Sequence, residues 1–133
     1  YNGFIDGFAQ MGKNPDESPQ YFTRKDDPDS IKRLIDKMMN DDNPPKAIFA
    51  TRDSIAVSII RALRSLKLKI PEDVKLATFT DNPESIRLIE PSVSCIVVPI
   101  EEMAAAAVSR LAEMLDTDKK LPPFQIFLDC KVV

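Results

Sequence analysis

Histidine is absent from this chain, glycine occurs only three times, and the two cysteines form no CxxC pair. The commonest general base is therefore missing, which lowers the expectation of hydrolytic catalysis. A zinc site is not expected either, because zinc sites draw mainly on clustered Cys and His ligands. Cys95 and Cys130 each lie in an apolar, strand-like run, and we interpret both as buried, reduced thiols.

The chain also lacks long stretches that are uniformly apolar or carry charge of one sign. No apolar run reaches the roughly 18 residues of a membrane span, and no basic-then-apolar leader or targeting tail is present, so we expect no membrane association. The formal net charge is −3, with no block of about five or six like charges. The chain thus lacks the electrostatic footprint of a nucleic-acid binder, and any DNA contact would have to come from elsewhere.

What is present is an ordinary globular composition. The 133 residues are 44% hydrophobic and 29% charged, which suits one soluble domain that buries roughly two-thirds of its unfolded surface. Hydrophobic periodicity predicts alternating helices and strands. The predicted helices cover about 1–11, 28–40, 53–66, 84–89 and 99–114, and the predicted strands cover 20–23, 47–50, 74–79, 94–98 and 125–133.

This alternation predicts an α/β fold in three layers, a mostly parallel sheet with helices on both faces. The sequence Asp27-Pro28 supplies an N-cap and a first-turn proline for the second helix, and Asp53 or Ser54 is expected to cap the third. The strand at 47–50 is uniformly apolar, which is typical of a strand buried on both faces.

Polar corners follow three of these strands, at 24–26, 51–53 and 79–81. In open α/β sheets, ligands bind outside the carboxyl ends of the strands. We therefore expect a ligand crevice along this edge.

Beyond these patterns, the chain resembles the lactose-repressor/galactose-repressor family of bacterial transcription regulators. The similarity runs through AIFATRDSIA at 47–56, RAL at 61–63, IPEDV at 70–74, TFTD at 78–81 and PIEEM at 99–103. The resemblance implies the carboxyl-terminal lobe of a periplasmic-binding-protein-like effector sensor, here incomplete. It also implies a cytoplasmic homodimer without a cofactor. The DNA-binding headpiece is absent, and the helix at 99–116 would pack on a missing second lobe.

The same resemblance assigns candidate ligand-binding residues, namely Arg52, Asp53, Thr80, Asp81, Asp26 and Phe79. Sugar-binding members typically place Asn at the position of Arg52 and Asp at the position of Thr80, so a neutral sugar loses partners here. A guanidinium suits a carboxylate or phosphate, which makes an anionic metabolite one hypothesis. In the alternative, Arg52 pairs internally with Asp53, Asp26 or Asp81.

The helix at 53–66 is apolar on more than one side. Either this width is simply a wide core face, or part of it is buried against a second subunit. For the second case, the expected interface residues are Val57, Ile60, Arg61, Arg64 and Leu88.

Three other classes compete with the regulator. A sugar-binding protein of a transport system shares the lobe architecture without a DNA headpiece. A phosphoacceptor receiver domain is disfavoured, because the first strand lacks a trailing acidic pair. An enzyme that uses Asp53 and Asp81 as an acid-base pair is disfavoured too, since both suit helix caps or corners.

Overall fold

A computed structural model describes residues 2–14, 16, 18–21, 27–91, 93–116 and 122–133. Nine elements follow one another in these ranges. They are α1 (Asn2–Gln10), α2 (Pro28–Met39), β1 (Ala47–Ala50), α3 (Asp53–Ser65), β2 (Lys75–Thr80), α4 (Pro83–Arg87), β3 (Ser94–Val97), α5 (Ile100–Leu115) and β4 (Lys131–Val132). The strand expected at 20–23 falls partly outside the described residues, and Gln20 and Tyr21 show no regular structure.

The four strands form one sheet in the order β1-β2-β3-β4. β1, β2 and β3 run parallel, and β4 is antiparallel to β3. The mostly parallel sheet is therefore confirmed. The length expected for the last strand is wrong, because only Lys131 and Val132 form a strand and Val133 adds hydrogen bonds to Cys95 at 2.7 and 2.9 Å. β3 itself has only four residues, so its edge offers little to pair with.

The start of α2 follows the local signal in the sequence. Asp27 is the N-cap, and its Oδ2 accepts hydrogen bonds from the Ser30 hydroxyl at 2.7 Å and from the Ser30 amide at 3.0 Å. These two bonds favour the carboxylate form and hold the pKa of Asp27 below its usual value. The start of α3 differs from expectation, because the N-cap is Arg52 in an extended conformation and Asp53 is already helical.

Helix α3 occupies the centre of the core, in contact with α2 on one side and with β1 and β2 on the other. Ala56, Leu63 and Thr78 are fully buried at these contacts, and Ile60 is only 4% exposed. The wide apolar face of α3 is thus largely a core face within this chain.

The opposite face of the sheet is less covered. Because side chains alternate along a strand, Phe49 points away from the face that packs on α3. Helix α1 lies on that side, with the Phe4 ring 6.4 Å from the Phe49 ring, so helices on both faces are confirmed. Phe49 nevertheless stays 37% exposed, and Ala47 is also exposed. The expected burial of 47–50 on both faces is therefore wrong.

The two cysteines differ in their surroundings. Both are free thiols, Cys95 buried in the core and Cys130 exposed. The prediction of a buried thiol is thus confirmed for Cys95 and wrong for Cys130, because its segment joins the sheet only at its last residues.

Candidate functional site

Two neighbouring parallel strands bring their polar corners to one edge of the sheet. β1 and β2 pair in register from Ala47↔Lys75 to Ala50↔Thr78. Thr51 and Arg52 then lead into α3, while Asp81 and Asn82 lead from β2 into α4. The edge expected from the sequence to hold a ligand is therefore formed by residues that lie side by side.

A hydroxyl group connects the two corners. Thr80 Oγ1 donates to Asp53 Oδ2 over 3.5 Å and accepts from the Asn82 amide at 3.0 Å. The other carboxylate oxygen of Asp53 accepts from the Ser54 amide at 2.6 Å. Thr80 is only 3% exposed and Asp53 is half-buried. Thr80 thus offers a ligand almost no surface, and its hydroxyl contacts the opposite corner.

Two charged side chains at this edge, Arg52 and Asp81, are exposed to solvent. Arg52 stands at the N-cap position of α3, so its backbone carbonyl accepts from the Ala56 amide at 3.0 Å. This bond fixes the backbone from which the guanidinium extends. A planar guanidinium with several donors can bind a carboxylate or a phosphate through two parallel hydrogen bonds.

Phe79 lies beside the corners but on the other face of the sheet. Its ring packs edge-on against Phe49, with ring centroids 5.1 Å apart. Phe79 remains 36% exposed, so the pair presents an aromatic surface next to the edge. Sequence reasoning named Phe79 and missed Phe49, although Phe49 pairs with Ala77, two residues before Phe79 on the same face.

Asp26 lies outside the described residues. Asn82 was not anticipated, because its contribution is a backbone amide bonded to a side chain two residues away. The tendency of residues such as Thr80 to bond the backbone just beyond them was the available signal.

The residues expected at a subunit interface differ in how far they are exposed. Arg61 and Arg64 are exposed on α3, Leu88 is 87% exposed after α4, and Val57 is half-buried. Ile60 lies inside the core cluster. Arg64 Nη2 donates to the Glu90 carbonyl, so this part of α3 adjoins the segment that follows α4.

Among the described residues, no group of three or more His, Cys, Asp or Glu side chains is placed to hold a metal ion. Nor does any helix in the described part of the chain have the length and apolar character needed to cross a membrane.

Known proteins with a similar sequence identify the family to which this architecture belongs. The periplasmic binding protein-like domain family matches residues 4–133. The HTH-type transcriptional regulator KdgR of Bacillus subtilis is 35% identical over 88 residues, which are 66% of this chain and 25% of KdgR. GalR of Streptococcus thermophilus is 33% identical over 78 residues, 59% of this chain and 23% of GalR. The chain thus spans about a quarter of the length of these relatives.

Solved structures agree in fold. A LacI family transcription regulator from Clostridium acetobutylicum matches with a TM-score of 0.68 at 25% identity, over 91% of this chain and 45% of that one. A LacI family regulator from Sanguibacter keddieii gives a TM-score of 0.82 at 22% identity, over 98% of this chain and 48% of that one. The chain therefore belongs to the periplasmic binding protein-like domain family, in the form that LacI-family regulators carry.

Proposed function

We propose that this chain is the effector-sensing part of a bacterial transcription regulator and binds a small metabolite at the carboxyl edge of its sheet. The observation that supports this most directly is the exposed Arg52 beside the Asp53–Thr80 contact, where two parallel strands end together. Named relatives are transcription regulators, which favours this function over a transport protein. Operator DNA would be bound in the cytoplasm by a headpiece outside these residues.

A second lobe is part of this proposal, and α5 supplies the support for it. No residue of α5 is buried, and its apolar side chains recur at helical spacing. The exposed members of this stripe are Ile100, Met103, Val108, Leu111, Met114 and Leu115. An apolar stripe of this width is what a helix buries against another surface. In the intact protein α5 would pack on the second lobe, and the effector would sit between the lobes.

The mechanism is a change in lobe closure rather than a chemical reaction. An effector that contacts both lobes stabilises the closed form only through contacts that the open form lacks. A coupling of about 1–3 kcal/mol between effector and operator would change operator affinity about 5- to 150-fold. We expect no bond to be made or broken.

Leu111→Ala tests the packing of α5. If Leu111 is buried against a second lobe, the substitution lowers the free energy of unfolding of the intact protein by about 2–5 kcal/mol. Ser109→Ala, on the same helix, changes it by less than about 0.5 kcal/mol. Urea unfolding followed by circular dichroism measures both. Equal, small effects of the two substitutions would show that α5 stays exposed.

The effector class is the finer part of the proposal. Arg52 adds a fixed positive charge at the edge, and Thr80 is too buried to replace a ligand-facing carboxylate. An anionic metabolite, such as a sugar phosphate or a carboxylated sugar, therefore gains a charge-assisted, bidentate partner, whereas a neutral sugar gains only hydrogen bonds to its hydroxyl groups.

Isothermal titration calorimetry with matched sugars and sugar phosphates tests this preference. We expect the intact protein to bind a phosphorylated ligand more tightly than its neutral counterpart. Arg52→Ala should lower the affinity for the phosphorylated ligand by about 10- to 100-fold, which corresponds to the loss of a charged hydrogen bond of about 1.5–3 kcal/mol. Lys37→Ala, which removes an exposed cation of α2 away from this edge, serves as the control. Preference for neutral sugars that Arg52→Ala leaves unchanged would contradict an anionic effector.

We further propose a homodimer that uses the exposed surface of α3 and the segment after α4. The Arg64–Glu90 hydrogen bond places these two regions together, and Leu88 projects beside them with 87% exposure. A large apolar side chain this exposed next to a structured surface is a typical interface feature. Because Ile60 is buried in the core, the contacts would come mainly from Leu88, Arg61, Arg64 and part of Val57.

Sedimentation velocity of Leu88→Glu tests the dimer. We expect the intact wild-type protein to sediment as a dimer and Leu88→Glu to shift toward monomer, since the substitution removes an apolar contact and adds a carboxylate whose desolvation opposes association. Met11→Glu, which alters another exposed apolar side chain, should remain dimeric. A dimer unaffected by Leu88→Glu would place the interface elsewhere.

A further inference from the structure

The two exposed charges at the carboxyl edge of the sheet have opposite signs, and they lie close together. Asp53 directly follows Arg52 along the chain. Its carboxylate contacts the hydroxyl of Thr80 at 3.5 Å, and Asp81 directly follows Thr80. Each exposed charge is therefore one residue away from the same contact. Because neighbouring strands are only about 4.8 Å apart, one small metabolite can reach both charges.

The two carboxylates of these corners differ in how far a ligand can use them. Asp53 is half-buried, and its oxygens contact the Ser54 amide at 2.6 Å and the Thr80 hydroxyl at 3.5 Å. Asp81 is exposed, and its carboxylate accepts no hydrogen bond from any described residue. Asp81 is thus the carboxylate that a ligand meets beside Arg52.

The charge balance at this edge disfavours a ligand that carries negative charge alone. Within 51–54 and 80–84, both of which the structure describes in full, Arg52 is the one cation. Asp53, Asp81 and Glu84 in the same two segments are acidic. An anionic group that binds Arg52 is repelled by the Asp81 carboxylate at short range. A positive group on the same ligand, placed at Asp81, replaces this repulsion with attraction.

We propose that the effector carries a protonated amine in addition to its anionic group. The phosphate or carboxylate lies at Arg52, and the ammonium group donates hydrogen bonds to the Asp81 carboxylate. Both contacts are charge-assisted, and the guanidinium can bind its partner through two parallel hydrogen bonds. This inference rests on the function proposed above, and it narrows the ligand to metabolites that carry both charges, such as an amino sugar phosphate.

Glucosamine 6-phosphate and glucose 6-phosphate are matched probes, because they differ only by an amine in place of one hydroxyl group. Calorimetry on the intact protein should show that glucosamine 6-phosphate binds about tenfold more tightly, as for a charge-assisted hydrogen bond at the lower end of its usual strength. Glucosamine, which lacks the phosphate, should bind more weakly than glucosamine 6-phosphate. Raising the pH until the amine is neutral should remove the preference between the two phosphates.

Asp81→Asn removes the negative charge and keeps the size of the side chain. It should lower the affinity for glucosamine 6-phosphate about tenfold and should not lower the affinity for glucose 6-phosphate, since the amine alone loses its partner. The control is Asp42→Asn, which removes an exposed carboxylate in the turn before β1, at the opposite edge of the sheet. It should leave both affinities unchanged.

The outcomes separate this inference from the function on which it rests. If the two phosphates bind equally well, or if Asp81→Asn keeps the preference for the amine, the inference is overturned and the proposed sensor of an anionic metabolite stands. The inference is also overturned if Asp42→Asn loses as much affinity as Asp81→Asn. If neither phosphate binds, the inference and the proposed anionic effector both fail.

Discussion

The position of α3 is the constraint on which the rest of the structure depends. One face of this helix packs on β1 and β2 and another on α2, so Ala56 and Leu63 have no exposed surface at all. Close packing on two sides leaves the helix little freedom to shift. Its two ends are thereby fixed as well, and the amino end carries the proposed effector site.

At the amino end, burial and function are assigned to different side chains. The hydroxyl of buried Thr80 contacts the half-buried Asp53 across the two corners. Arg52 and Asp81 remain outside as the charged groups a metabolite would meet. The proposed effector site thus combines a buried contact between the corners with two exposed charges of opposite sign.

Much of the fold could be predicted because its signals are local. The stripe Ile31, Ile35, Met38 and the Asp27-Pro28 cap specify α2 within a dozen residues, and the structure buries those three side chains. The predictions that failed depend on contacts between residues far apart in the sequence. The apolar run after Pro123 resembles a long strand, but only β3 decides how much of it can pair. The burial of Thr80 likewise depends on the alignment of β2 with α3, which spacing along the chain does not reveal.

Hydrogen exchange on the intact protein, with and without a saturating sugar phosphate, tests whether the effector binds at the carboxyl edge of this sheet. We expect slower exchange of the amides at 51–53 and 80–82 when ligand is present, with little change along α2. Protection that leaves both corners unchanged and appears only elsewhere in the protein would contradict it.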